Sequence, residues 1–411
     1  MSASPENSIH STEKPNFPFL ILALLIFIVI AFAFTPTFNP NIAENLQTLN
    51  ANTLDTSALS REGKTIFDTL KYNRSIHVLA MLLLGFGFLM VFVRKHGFSS
   101  ITATLLVVST SIPVYMLIKS FIGEGSAISV ESFLFAEFAA ASLLITIGAP
   151  LGKLKMDQYL ILGVLFVPVY LLNEWLVLES GYFTGFLDTG GSVLIHAFGA
   201  YFGLGLVTAT YSKFKEGPKC ESDAVSNQFA LLGSLVLWVF WPSFTSAVAA
   251  PDRVVLTAIN TVFALCGSTI ATYIFTKMIR GKINIEDIAN AALAGGVAIG
   301  STCDVGDPGF SMLIGLAAGT ISTLGYSKIA PKVEKLIHGT DTCGVHNLHG
   351  MPGLLGGLSA IVITGHAGIQ LLGMLTTVVV AFVGGKVVGL ILGLYGTKKE
   401  LYSDEDEFAE E

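Results

Sequence analysis

Charge is what this chain has least of. Only 13% of its 411 residues are Asp, Glu, Lys or Arg, against about 25% in an ordinary soluble domain. The deficit runs the whole length of the chain, which excludes a water-soluble globular protein. An excess of positive charge is also missing. The formal net charge is −7, part of it in the tail Ser403-Asp-Glu-Asp-Glu-Phe-Ala-Glu-Glu411, so no nucleic-acid partner is expected. Cysteine is scarce. Cys220, Cys266, Cys303 and Cys343 stand singly, without a CxxC pair, and carry no disulfide framework. Neither GxSxG nor HExxH occurs, so an intramembrane enzyme has little to stand on.

What is present is apolar. Hydrophobic residues make up 52% of the chain and the mean hydropathy is +0.68. A helix needs about 20 apolar residues to cross a bilayer. Hydropathy predicts spans near 17–36, 76–94, 99–120, 132–152, 157–179, 188–212, 225–249, 254–279, 284–302, 308–329, 343–364 and 369–396. The chain thus divides into a polar segment 1–16, a hydrophobic helix 17–36, an extracytoplasmic loop 37–75, a membrane domain 76–396 and an acidic tail 397–411. Ala31-Phe-Ala33 resembles a signal-peptidase site, while the preceding segment has only one lysine, Lys14, so 17–36 is either a retained helix or a signal peptide. With the N-terminus inside, sixteen of the 23 lysines and arginines fall on the inner side and six on the outer, Lys386 lying within the last span. That bias sets both ends in the cytoplasm of an integral, multi-pass protein of the plasma (inner) membrane.

Without 17–36, eleven spans remain: five from 76 to 212, five from 225 to 364, and one more. Five is odd, so the second set runs opposite to the first. The fold class is therefore an all-α polytopic membrane protein with an inverted 5+5 repeat plus one helix, a plan that places the site at the repeat interface.

Two segments near that interface carry ionisable groups. One reads Asp188-Thr-Gly-Gly-Ser-Val-Leu-Ile-His196; the other reads Asp341-Thr-Cys-Gly-Val-His346-Asn-Leu-His349. Such side chains are costly in lipid and mark a polar track. His196 and His346 occupy the fifth span of each set, and we expect them to face one another and line a pore. His349 is expected to pack or to bond behind them. Asp188 suits either holding the adjoining helix start through backbone N–H bonds or accepting a proton. Cys343, His346 and His349 are three residues apart, drift around a helix, and lack a fourth ligand, so no metal and no cofactor are expected.

With these residues in view, the chain resembles the ammonium transporter/Rhesus glycoprotein superfamily, its Rhesus branch in particular. The likeness rests on the two histidine segments, on Gly85-Phe-Gly-Phe-Leu-Met90 and on Trp238-Val-Phe-Trp-Pro-Ser-Phe244. The resemblance implies a homotrimeric channel or transporter with one narrow apolar pore per subunit. Ammonia passes through it, recruited as ammonium and deprotonated at the outer vestibule. It implies an outer gate at Phe138 and Phe244, and a recruiting or structural acid at Asp188. Glu174, Asp304 and Asp307 lie near outer ends of spans, where they make the vestibule negative or are simply solvated. No Trp-Gly-Gly precedes Asp188, and Val248 stands at the family's serine position, which argues against a tight external ammonium site. Carbon dioxide as a second permeant, a sensor role and a soluble cytoplasmic regulator stay open.

Overall fold

The structure, a computed structural model, describes residues 21, 24–26, 28–29, 61–92, 97–122, 128–210, 222–396 and 404–409. Among these the chain is helical and holds no strand. The first half contains α1 (Arg61–Ala80, continued by a π-helical turn Met81–Phe86 to Phe92), α2 (Gly97–Ile122) and α3 (Val130–Gly148). It ends with α4 (Met156–Glu174, continued to Glu179) and α5 (a π-helical turn Ser192–Ala197, then Phe198–Thr210). The second half contains α6 (Ala224–Thr245), α7 (Val254–Arg280), α8 (Ile285–Asn290, continued in short turns to Ile299), α9 (Pro308–Leu324, continued to Ile337) and α10 (a π-helical turn His346–Gly350, then Met351–Thr364). A last helix, α11, runs Ala367–Gly393. Nine helices among the described residues are long and apolar enough to cross a membrane.

Local chemistry sets the ends. Ser129, Asp223, Asn284 and Asp307 cap α3, α6, α8 and α9 with their side chains, each satisfying an otherwise orphaned N–H. Three expectations change. The first core helix begins at Arg61 rather than 76, because the polar stretch 61–75 is a helical extension of an apolar span. The expected loop 37–75 therefore loses its last fifteen residues, and the remainder lies outside the described residues. The span expected at 284–302 is three short helical pieces, broken around Asn290. The boundaries of 17–36 also lie mostly outside the described residues, although Leu24 and Ile28 are helical and pack against Ala271, Met312 and Leu316.

The acidic tail is docked where it is described. The Asp404 carboxylate accepts from the backbone N–H of Phe98 (2.7 Å) and Ser99 (3.1 Å) and from the Ser99 hydroxyl. Glu407 accepts from Met156 N–H at 3.0 Å, so two tail acids cap the starts of α2 and α4. Negative charge at a helix N-terminus is stabilising. Asp404→Ala is expected to lower stability by about 1 kcal/mol, read as a drop of a few degrees in a thermal-shift assay.

Candidate functional site

The two halves meet where α5 and α10 begin, and both beginnings are built alike. Gly191 sits at φ 75°, a left-handed turn that a side chain would strain. It folds Asp188 back so that its carboxylate accepts from Val193 N–H (3.0 Å), Leu194 N–H (2.7 Å) and the Ser301 hydroxyl (2.5 Å). Gly190 N–H donates to Gly300 O at 2.7 Å, and the Ser192 hydroxyl donates to Val297 O at 2.6 Å. The start of α5 is thereby fastened to the end of α8, the third helix of the other half. In α10, Gly344 takes the left-handed turn at φ 68°. Asp341 accepts from Val345 N–H (3.0 Å) and His346 N–H (2.9 Å). Cys343 N–H donates to Gly148 O at 3.0 Å and Thr342 N–H to Ala149 O at 3.2 Å, fastening α10 to the end of α3, again a third helix. The inverted repeat is visible in these exchanged fastenings.

Each beginning is a π-helical turn, a device that recurs at functional sites, and each carries a histidine inward. The partner of His196 is His349. The two Nδ1 atoms are 3.2 Å apart, and the rings lie 5.3 Å apart at 7° to one another. They are 2% and 4% exposed. One ring donates and the other accepts, so each fixes the other's tautomer. The expectation that His346 completes the pair is overturned. Its ring packs edge-on against Tyr201 at 5.8 Å, and its Nδ1 has no hydrogen-bond partner among the described residues. A sequence signal was available: His349 follows Asp341 by the same eight positions that separate His196 from Asp188, whereas His346 follows by five.

The pair is lined up with other rings. His196 stacks on Trp241 at 5.6 Å and lies 6.0 Å from Phe244. Phe244 and Phe138 meet at 4.9 Å, tilted 60° rather than stacked. On the other side His349 faces Phe86 at 6.1 Å. Beyond it lies an apolar cavity lined by Phe86, Leu89, Leu144, Ile145, Val345 and Leu348 among others. A narrow file therefore runs from the phenylalanine pair, past the histidine pair, into an apolar chamber. Two buried polar atoms along it, His196 Nε2 and Trp241 Nε1, have no hydrogen-bond partner among the described residues. Buried polar atoms of that kind call for an occupant.

The three remaining acids are engaged. Glu174 is 4% exposed, accepts from the Tyr115 hydroxyl at 2.9 Å and pairs with Lys119 at 3.4 Å, so it is a buried bridge between α2 and α4 rather than a free vestibule charge. Asp304 accepts from Thr189 at 3.1 Å; burial pushes its carboxyl above the usual range, and the Thr189 bond opposes that. Asp307 is the α9 cap, accepting from Phe310 N–H at 2.9 Å.

A family model described as Ammonium Transporter Family matches residues 48–411. The chain belongs to the ammonium transporter family. Its relatives lie in the Rhesus branch. It is 38% identical over 358 residues to the ammonium transporter Rh type B of Mus musculus, covering 78% of each chain. It is 36% identical over 393 residues to the Rh type A transporter of Bos taurus, covering 92% of this chain and 90% of the relative. The solved structure of Nitrosomonas europaea Rh50 superposes with a TM-score of 0.81 at 50% identity, over 84% of this chain and 93% of that one. This Rhesus-branch transporter thus shares both its sequence and its fold with the family.

Proposed function

We propose that the protein conducts ammonia across the plasma membrane through the file between Phe138/Phe244 and the apolar chamber, with the Asp188 end outside and the acidic tail in the cytoplasm. The observation that carries this is the bonded His196–His349 pair, buried between an aromatic constriction and an apolar cavity. Ammonium is recruited at the outer mouth, where the π faces of Phe138 and Phe244 attract a cation. A bare charge is costly in such a passage, so ammonium gives its proton to water in the outer vestibule before entering, and ammonia takes up a proton from water on the inner side. The neutral base then travels on, taking a hydrogen bond from or giving one to the imidazoles. Sodium and potassium have no proton to lose and are excluded. Asp188 acts by holding the start of α5 and by its negative potential, since its oxygens already accept three donors. The resemblance to the family implies a homotrimer with one pore per subunit.

The test is simultaneous current and pH recording on proteoliposomes under an ammonium gradient. An internal pH change without net current, competed by methylammonium and absent with potassium, is the expected result. A sustained ammonium current would show that charge passes; no ammonium-dependent signal of either kind would sink the proposal.

A further inference from the structure

The first core helix holds both halves of the constriction from behind. On α1, the Ser75 hydroxyl donates to Glu137 Oε1 at 2.8 Å, with both residues fully buried. Glu137 immediately precedes Phe138 on α3. Two residues further along α1, His77 Nδ1 lies 2.9 Å from the Ser243 hydroxyl, and its ring stacks on Phe240 at 5.0 Å and 23°. Ser243 immediately precedes Phe244 on α6. Residues two apart on a helix point about 200° away from each other. The helix α1 is therefore a wedge between α3 and α6, and it grips each at the position next to a constriction ring.

We propose that Ser75 and His77 are positioning residues that set the separation of Phe138 and Phe244, and through it the size of base the passage admits. This rests on the reading of those phenylalanines as the gate. The 4.9 Å between the two rings is fixed by neither ring alone, since each belongs to a different half of the fold. A third element that touches both helices can hold the distance, and α1 grips each of them beside its ring. Without the Ser75 hydroxyl, the buried Glu137 carboxyl loses its donor, and α3 gains by turning toward another. Without the Ser243 hydroxyl, α6 is released from His77, and Phe244 swings with it. In both cases the gap between the rings widens and a larger base enters.

The experiment compares methylammonium with ammonium flux in proteoliposomes, with osmotic water permeability measured on the same vesicles. Ser75→Ala and Ser243→Ala are each expected to raise the methylammonium-to-ammonium ratio by about fivefold, the size of one lost hydrogen bond, and to raise water permeability. Ser75→Thr keeps the hydroxyl and Glu137→Gln keeps the accepting oxygen, so both retain the native ratio. Should Ser75→Ala fail to fold, Ser243→Ala decides, because it strands no buried carboxyl. Phe244→Ala separates the two levels of the argument. If it raises the ratio while Ser243→Ala and Ser75→Ala do not, the gate reading stands and the positioning role falls. If Phe244→Ala itself leaves the ratio native, both fall. Loss of all conduction in folded Glu137→Gln protein would also overturn positioning, since the carboxamide keeps an oxygen that accepts the Ser75 hydroxyl.

Discussion

His349→Ala is expected to cut ammonia conduction by about tenfold or more, while His346→Ala leaves most of it. The difference follows from where the two rings sit. Among the described residues, His349 supplies the only ring nitrogen bonded to His196. Removing it strands a buried Nδ1, at about 1–3 kcal/mol, and opens a void beside Phe86. A migrating base also loses its second polar contact, and water enters in its place. Potassium then gains a hydrated route, so selectivity falls with flux. His346 touches Tyr201 rather than His196, so its loss is expected to alter packing alone. Stopped-flow pH measurements on proteoliposomes, with potassium permeability in parallel, distinguish the two variants. Equal losses in both, or the reverse order, would refute the pairing.

Asp188→Ala is expected to remove most of the folded protein rather than merely slow it. Its carboxylate satisfies two backbone N–H groups and the Ser301 hydroxyl in a site with little access to water. Stranding several buried donors costs about 3–5 kcal/mol, a large share of the ~5–15 kcal/mol that holds a domain folded. The start of α5 then unwinds, and His196 goes with it. Asp188→Asn keeps one accepting oxygen but turns an NH2 toward these donors, so it is expected to fold with reduced stability and retain partial flux. Size-exclusion profiles and thermal shift in detergent read the first effect, and reconstituted flux the second. Native stability of Asp188→Ala combined with abolished flux would assign Asp188 to proton transfer instead.

Much of the site was legible in one dimension. The spacing of Asp188 from His196, the Gly-Gly turn between them and the Trp-Pro-Ser-Phe run are all local, so the chain declares them. Phe138 and Phe244 were recognisable only as motif members, because nothing in a run of apolar residues says which ring points at which. Counting spans does not separate His346 from His349, although the Asp-to-His interval of eight does. Residues three apart share a broad helix face, and a π-helical turn shifts that face relative to regular counting. The fate of Glu174 was hidden as well. Its cation, Lys119, is 55 positions away on another helix.

Composition, the count of apolar spans and the places of the ionisable groups among them by themselves determined that this protein lives in a bilayer, is helical, and is a doubled structure with ionisable groups at its centre. Those properties depend on averages and on short spacings, which survive without knowledge of contacts. Only the tertiary structure decided which histidine meets His196, which acids are already occupied, and what holds the aromatic rings apart. The deciding distances join segments 55 to 166 positions apart, set by how the helices rotate as they pack, and rotation about a helix axis is not written in hydropathy.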